Sequence, residues 1–308
     1  MGEHDDRVLA ALRKIPGFET VERADAIVRQ GGLTNFVFRV DAAGRSVIVR
    51  LAGEGTDAYI DRRVEAHNAR AAARAGVAPE MLFADPASGL MVTRTIPAIT
   101  TMTPAGFAAI DGAPARAGRA LAKLHTSGET FEFRFELFSM IDDYLRLLST
   151  KDATLPDGYH DIVRAAEPVK AALAEHPARL APCHCDPLCE NFLDDGTVMW
   201  IVDWEYSGMN DPLWDVGDLS VEAGMDAAQE GEMMRAYFGR EPTAAEFGRM
   251  VIYKAMCDLL WTLWGLIQHA DGNPAEDFWA YATGRFERCK TLMTDPQFER
   301  HLAAVRAG

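Results

Sequence analysis

The most constraining feature of this sequence is an aspartate–asparagine pair followed by a short hairpin and a second aspartate. Asn191 follows Asp186 by five residues, and two β-prone runs then flank an Asp-Asp-Gly turn at residues 194–196. Such a turn between two β-prone runs is typical of a hairpin. Asp203 comes directly after the second run. The pattern predicts that Asn191 and Asp203 meet at the open end of one hairpin, beside the loop that carries Asp186.

The residue types in this pattern suit phosphoryl transfer. Asp186 on a loop can accept or orient the proton of an attacking hydroxyl. Asn191 and Asp203 can both supply oxygen ligands of the kind that Mg²⁺ prefers. The spacing matches the phosphoryl-transfer layout of the protein-kinase fold. An isolated Asp-x₄-Asn match is common and by itself indicates an ordinary polar loop, but the hairpin and the second aspartate favour the catalytic interpretation.

The first third of the chain has the pattern of an antiparallel sheet. Short β-prone segments are separated by glycine-containing turns, and the helix among them is expected to begin at Thr56 or Asp57 and to end at Gly76. The predicted strands are residues 20–23, 26–29, 36–40, 46–51, 81–84 and 90–94.

Helical patterns dominate after residue 103. The predicted helices are residues 114–126, 137–149, 161–175, 213–224, 244–269 and 275–293, after an N-terminal helix at residues 7–14. The length of 308 residues is enough for about two domains. We expect an α+β, two-lobed protein-kinase-like fold, with a β-rich nucleotide-binding lobe at residues 1–96 and a larger, mainly helical catalytic lobe at 97–308. Residues 94–103 are the expected hinge.

A glycine pair lies where such a fold needs close contact between backbone and phosphate. Gly31 and Gly32 join two predicted strands, and Thr34 and Asn35 follow them. Glycine lets backbone N–H groups approach phosphate oxygens closely. A lone Gly-Gly pair is usually only an ordinary turn.

An arginine stands on the strand where a protein kinase carries its phosphate-binding lysine. Arg50 is always charged and can bind phosphate oxygens through two N–H groups. Glu65, on the next helix, is either the acidic partner that holds Arg50 or an exposed helix residue beside Arg62.

The acidic charge is confined to one part of the chain. The net charge is −15, yet residues 1–96 contain 13 Lys and Arg and 13 Asp and Glu, so the whole excess lies in residues 97–308. Residues 203–232 contain nine carboxylates and neither Lys nor Arg. This charge disfavours a nucleic-acid partner. The acidic segment is either a solvated surface or a site that attracts cations.

The remaining composition indicates a cytoplasmic protein without a membrane span. The apolar stretch at residues 259–267 is shorter than the roughly 20 residues of a span, and the acidic N-terminus is unlike a secretory signal. Three of the five cysteines crowd into residues 183–189, which is unlike a disulfide framework. We expect free thiols that pack the loop rather than a zinc site. The sequence leaves the oligomeric state open.

These motifs resemble the choline/ethanolamine kinase family, within the wider aminoglycoside phosphotransferase-like group. The resemblance runs from about residue 31 to residue 290. It is carried by Gly31–Asn35, Val49–Leu51, His184–Asp186 with Asn191, Ile201–Ser207, Asn210, Asp215–Asp218 and Trp261–Gln268.

The resemblance implies a kinase that uses ATP and Mg²⁺. It implies Asp186, Asn191 and Asp203 as catalytic residues, with Asn191, Asp203 and Glu205 as metal ligands. The residues implied for nucleotide binding are Gly31, Gly32, Thr34, Asn35, Arg50 and Glu65. By the same match, Asp215 holds the backbone of the catalytic loop or, alternatively, caps the following helix.

An aromatic group in the acidic half is the candidate substrate site. Trp261 and Trp264 are three residues apart and so lie on one helix face, and Tyr281 follows on the next predicted helix. Such a stripe is either core packing or part of an aromatic cage, which binds quaternary ammonium ions well. By position Glu222 resembles the substrate-binding glutamate of the family, or it is one more acid on an acidic face.

The family resemblance has one departure. Ala227 stands where relatives that use choline tend to carry an aromatic residue. The expected substrate is a small cationic alcohol, either choline or a smaller amino alcohol such as ethanolamine. The alternatives are a kinase of the same fold that acts on an aminoglycoside, thiamine or an amino acid, and a non-catalytic nucleotide-binding protein.

Overall fold

The computed structural model describes residues 4–30, 35–53 and 60–308 as a mixed α and β chain. The strands are β1 (Ala26–Arg29), β2 (Asn35–Ala42), β3 (Arg45–Ala52), β4 (Met81–Asp85), β5 (Leu90–Arg94), β6 (Thr100–Thr101), β7 (Ala181–Cys183), β8 (Phe192–Asp194), β9 (Met199–Ile201) and β10 (Gly208–Asn210). The helices are α1 (Asp5–Leu12), α2 (Arg62–Arg74), α3 (Pro104–Ala109), α4 (Ala113–His125), α5 (Leu137–Thr150), α6 (Tyr159–Ala165), α7 (Glu167–Glu175), α8 (Leu213–Glu222), α9 (Ala227–Phe238), α10 (Ala244–Ala270), α11 (Phe278–Thr294) and α12 (Phe298–Ala307).

The N-terminal strands form the predicted antiparallel sheet. Its order is β1-β2-β3-β5-β4, and β2 pairs with β3 along its whole length, from Asn35 opposite Ala52 to Ala42 opposite Arg45. Alternate β3 residues, among them Val47 and Val49, are buried under α1. This alternation of buried and exposed positions is why the segment forms a half-buried strand.

Helix α2 crosses from this sheet to the rest of the molecule. The Asp61 side chain caps its first turn by accepting the backbone N–H groups of Arg63 and Val64. The predicted start at Thr56 or Asp57 lies outside the described residues. The buried alanines of α2 belong to the larger hydrophobic cluster, whereas the N-terminal sheet has its own smaller one. The proposed lobe boundary at residue 96 stays a prediction.

The hairpin next to the candidate catalytic loop has the predicted form. Strands β8 and β9 pair antiparallel around residues 195–198, and β6 adds a third strand beside β8. Asp195 fixes the turn by accepting the backbone N–H groups of Thr197 and Val198. The hairpin therefore brings the two ends of its strands together as the turn signal indicated.

Some local predictions were wrong or incomplete. Residues 20–23 do not form a strand, and the helix predicted at 161–175 is divided into α6 and α7 at Ala166. Pro168 explains the break because proline cannot donate the backbone hydrogen bond that a continuous helix needs. The sequence pattern also missed α3, α9 and α12, of which two are no longer than ten residues.

Helix α10 is the centre of the larger cluster. It packs against α5, α8, α11 and α12. Two glycines allow the closest approaches: a Cβ on Gly217 would lie 2.6 Å from the backbone oxygen of Met250, and one on Gly265 would lie 2.6 Å from the Tyr281 ring. The packing places α8, α10 and α11 around one group of polar and aromatic side chains.

The same helix is long and apolar enough to span a membrane by length and composition alone. However, 83% of its most apolar window is buried inside the protein. This burial is the pattern of a core helix, and α10 is the one helix among the described residues that passes such a test.

Candidate active site

The loop between β7 and β8 carries Asp186 and Asn191 and folds back on itself. The Asn191 amide nitrogen donates a hydrogen bond to the Asp186 backbone oxygen at 3.1 Å, and the Leu188 N–H donates to the same oxygen at 2.9 Å. The side chain of Asn191 is therefore fixed, with its amide oxygen left for another partner.

The pKa of the Asp186 carboxyl group suits a base that works near neutral pH. Burial, followed by the negative charge of Glu222, raises its pKa to about 7, while Arg285 acts in the opposite direction. A carboxylate with such a pKa accepts a proton more readily than an ordinary aspartate does.

Asp215 holds the backbone of this loop, as the family resemblance implied. Its two carboxylate oxygens accept the backbone N–H groups of His184 at 2.7 Å and of Cys185 at 2.8 Å. His125 Nε2 lies 3.0 Å from the same carboxylate. Cys185 has a φ of +67°, a left-handed conformation that is strained for a residue with a Cβ. These hydrogen bonds offset that strain and keep the loop in one shape.

His184 joins the loop to the end of the hairpin. Its Nε2 lies 2.9 Å from the backbone oxygen of Val202, and the Val202 N–H donates to the Asn191 backbone oxygen at 3.0 Å. Asp203 follows Val202 directly, with a φ of +67°. The predicted meeting of Asn191 and Asp203 at the open end of the hairpin is confirmed.

Three carboxylates from two distant parts of the chain converge beyond the hairpin. Oxygens of Glu65, Asp203 and Glu205 all lie within 4.8 Å of one another. Desolvation, and then the charge of Glu205, raises the pKa of Asp203 well above its ordinary value, although its side chain is 38% exposed. A bound cation offsets such repulsion. An all-oxygen set of this kind fits Mg²⁺.

Two arginines balance these carboxylates. Arg50 pairs with Glu65, as predicted, and its Nη1 lies 3.7 Å from both Asp203 and Glu205. Arg62 lies 2.9 Å from Glu65 and 2.6 Å from Glu205. Glu65 is thus buried between two guanidinium groups, and its alternative as an exposed helix residue is wrong. The sequence pattern did not indicate that Arg62 pairs with these two glutamates.

Asn35 reaches the same cluster from the start of β2. Its amide nitrogen donates a hydrogen bond to Glu205 Oε1 at 2.8 Å, and the residue is buried. Gly31, Gly32 and Thr34 lie outside the described residues. Their expected contact with phosphates stays a prediction.

The predicted aromatic residues form one cluster between α10 and α11. The ring centroids of Trp261 and Trp264 are 6.5 Å apart, and those of Trp264 and Tyr281 are 5.7 Å apart. Tyr206 adds a ring 5.4 Å from Trp261, and its hydroxyl accepts a hydrogen bond from Trp264 Nε1 at 3.0 Å. Tyr206 belongs to the Ile201–Ser207 motif, but the sequence did not place it with the aromatic residues of the substrate site.

Glu222 lies at the edge of this cluster and is already paired with arginine. Arg285 Nη1 is 2.6 Å from its carboxylate, and Arg288 is 3.5 Å away. The Arg285 guanidinium also lies over the Tyr281 ring, 4.6 Å from its centroid. No sequence motif pointed to Arg285. Its position four residues after Tyr281, on the same helix face, was the available signal.

A surface groove elsewhere has no part in this arrangement. It encloses about 640 Å³ between the end of α2, the start of β4 and residues 94–97. No predicted site residue lines it. The candidate site is therefore identified by its chemical groups and not by the size of a cavity.

Comparisons with known proteins agree with this geometry. The model of the phosphotransferase enzyme family matches residues 25–246. A crystal structure of a choline/ethanolamine kinase family protein from Mesorhizobium loti is 61% identical, covers 98% of this chain and 99% of its own, and superposes with a TM-score of 0.90.

Two more distant proteins extend the likeness. Ethanolamine kinase 1 of Mus musculus is 25% identical over 79% of this chain and 76% of its own. The choline kinase LicA from Streptococcus pneumoniae is 24% identical, covers 95% of this chain and 99% of its own, and has a TM-score of 0.78. The last likeness concerns the fold, and it confirms the predicted α+β, kinase-like architecture.

Proposed function

Because the chain belongs to the choline/ethanolamine kinase family, within the phosphotransferase enzyme family, we propose that it transfers the γ-phosphoryl group of ATP to the hydroxyl of a small cationic amino alcohol. At the coarser level, the protein is a small-molecule kinase that acts on an alcohol group. The observation that carries the finer proposal is the convergence of Asp186, Asn191 and Asp203 at one end of a hairpin.

In this proposal Asp186 is the proton acceptor. The oxygen of the substrate hydroxyl attacks the γ-phosphorus, its proton passes to the Asp186 carboxylate, and the bond to the bridging oxygen of ADP breaks. At a pKa of about 7, a substantial fraction of Asp186 is still deprotonated at neutral pH and can accept the proton. Asp215 contributes indirectly because it holds the loop backbone next to Asp186.

The acidic and amide oxygens beside the hairpin fit a magnesium ion. We assign Asn191 and Asp203 as its ligands, with Glu205 as a further one, since their oxygens are of the type that Mg²⁺ prefers. When bound, Mg²⁺ neutralises phosphate charge. Asp203 is the most exposed member of the carboxylate cluster, which favours its access to a metal that arrives with nucleotide.

Arg50 is assigned to the phosphates. Glu65 and the neighbouring carboxylates fix its guanidinium, which stays charged because these ion pairs raise its pKa and outweigh burial. A fixed guanidinium binds phosphate oxygens with little further loss of side-chain freedom. We propose that Asn35 and the glycine pair at residues 31–32 complete the nucleotide site.

The aromatic cluster supports a cationic acceptor. Aromatic rings attract cations through their faces, and Trp261, Trp264 and Tyr281 form one cluster with the Asp218 carboxylate beside Trp261. The family of the Mesorhizobium loti protein and the name of the mouse relative indicate choline or ethanolamine as the type of substrate. We place the reaction in the cytoplasm, where the five free, buried cysteines stay reduced.

A panel of acceptors tests this proposal. Purified protein is given ATP and Mg²⁺ with ethanolamine, choline, thiamine, homoserine or kanamycin, and ADP formation is measured. Ethanolamine or choline should stimulate ADP formation far above the rate without acceptor. Stimulation by kanamycin, thiamine or homoserine alone would assign the chain to another substrate class, and ATP binding without turnover would make it a non-catalytic protein.

A further inference from the structure

The family resemblance implies that Glu222 binds the substrate cation, but arginines of the protein already pair with this carboxylate. Glu222 has the Arg285 guanidinium 2.6 Å away and Arg288 at 3.5 Å. Asp258 lies 3.2 Å from the same Nη1 of Arg285 and helps to fix the guanidinium. A second cation at Glu222 therefore competes with a buried, permanently charged group.

A different carboxylate near this site lacks such a partner. Asp218 lies four residues before Glu222 on α8, and only 1% of it is exposed. Its Oδ2 accepts a hydrogen bond from Trp261 Nε1 at 3.3 Å. Its Oδ1 is buried and has no hydrogen-bond partner in residues 4–30, 35–53 and 60–308. The Cys257 thiol, a weak donor, offers its sulfur within 4.8 Å of this carboxylate.

An unpaired buried carboxylate must take up a proton or meet a cation. Burial, and then the charges of Glu222 and Asp186, raises the pKa of Asp218 well above its ordinary value, while Arg285 and Cys257 act in the opposite direction. Trp261, which donates a hydrogen bond to Asp218, belongs to the aromatic cluster, and Glu222 lies one turn further along α8. The free oxygen therefore lies beside the aromatic cluster.

We propose that Asp218 accepts a hydrogen bond from an N–H group of the substrate ammonium. The phosphoryl acceptor is then an amino alcohol with N–H donors and not a quaternary ammonium alcohol. This inference rests on the proposed function and names the substrate class within it. An ammonium N–H satisfies Oδ1, whereas the methyl groups of a quaternary nitrogen leave it without a donor. A site built to hydrogen-bond a substrate N–H rejects the analogue that lacks it much more strongly than it rejects an extra methyl group.

The aromatic rings do not discriminate in this way. An aromatic ring attracts both kinds of cation through its face, and the Tyr281 ring already has the Arg285 guanidinium over it. Ala227, at the start of α9, is exposed and adds no ring. Discrimination between the two classes therefore falls to the buried carboxylate.

A methylation series tests the inference. The value of kcat/KM is measured for ethanolamine, N-methylethanolamine, N,N-dimethylethanolamine and choline, whose nitrogens carry three, two, one and no N–H groups when protonated. We expect kcat/KM to fall by at least about tenfold when the last N–H is replaced. Asp218→Asn should lower the value for ethanolamine at least about tenfold more than the value for choline, because both cations lose the attraction of the charge but only ethanolamine loses a charged hydrogen-bond acceptor for its N–H group.

A matched variant controls for the loss of a buried acid. Glu230 is a buried glutamate on α9 that pairs with Lys254, outside the aromatic cluster. Glu230→Gln should leave the ratio of ethanolamine to choline values unchanged. Thermal melting checks that each variant is folded, and if Asp218→Asn does not fold, the wild-type series alone decides.

The outcomes separate the inference from the proposed function. A wild-type series that is flat, or that rises toward choline, would overturn the role of Asp218 while leaving an amino-alcohol kinase. An equal loss for all four substrates in Asp218→Asn would do the same. If no amine in the series supports ADP formation, the proposed function itself fails, and the inference fails with it.

Discussion

The Arg62 guanidinium lies 2.6 Å from the Glu205 carboxylate, 143 residues further along the chain. The same guanidinium is 2.9 Å from Glu65, and all three side chains are almost completely buried. Arg62 thereby ties the first turn of α2 to the segment that follows Asp203. The position of the proposed metal ligands depends on this ion pair as well as on the hairpin.

Replacement of Arg62 should destabilise the protein. Arg62→Met removes a positive charge from beside the buried carboxylates of Glu65 and Glu205. We expect the free energy of unfolding to fall by about 3 kcal/mol. Urea unfolding measures the change. Arg63→Met is the control, since Arg63 is 65% exposed and its ion pairs contribute at most about 1 kcal/mol. Equal losses in the two variants would contradict the structural role of Arg62.

Replacement of Asp186 should abolish most of the activity without unfolding the protein. Asp186→Asn keeps the shape of the side chain but removes the proton acceptor, and kcat should fall by about 10²- to 10⁴-fold. The exposed Glu190 on the same loop supplies the control, and Glu190→Gln should retain nearly full activity. Single-turnover kinetics and thermal melting are measured for both variants. A kcat close to wild type in Asp186→Asn would remove Asp186 from the mechanism.

The pH dependence of the reaction should report Asp186. Because its pKa is raised to about 7, the group is mostly protonated and inactive below that pH, and kcat/KM should rise with pH through about 7 and then level off. The charge of Glu222 contributes to this raised pKa. Glu222→Gln should therefore move the rise to lower pH, whatever its effect on the maximum. An unmoved or upward-shifted profile would show that Glu222 does not act on the titrating group.

Replacement of Asp215 should loosen the catalytic loop. Asp215→Asn retains one acceptor oxygen for two backbone N–H groups, so either the His184 or the Cys185 amide loses its partner. Amide hydrogen exchange at these two residues should become faster, and kcat should fall. Asp226→Asn is the control, because asparagine caps a helix about as well as aspartate does. Unchanged exchange at both amides would contradict the anchoring role.

The sequence alone predicted those parts of the site that depend on local spacing. The turn signal at residues 194–196 indicated a hairpin, and the hairpin pairs Asn191 with Val202, the residue before Asp203. The helical spacing of Trp261 and Trp264 likewise fixes a shared face. Arg50 and Glu65 were found because the resemblance to a known layout indicated where to look. Short-range geometry of this kind is encoded in a few consecutive residues.

Only the tertiary structure decided which of the neighbouring buried carboxylates is paired with an arginine. Glu222 and Asp218 look alike in the sequence, yet α11 brings Arg285 to the first, while the Oδ1 of the second receives no hydrogen bond from the described residues. The physical reason is that electrostatic compensation depends on the distance between groups and on their burial. Packing of helices far apart in the chain sets both of these quantities, and no local pattern records them.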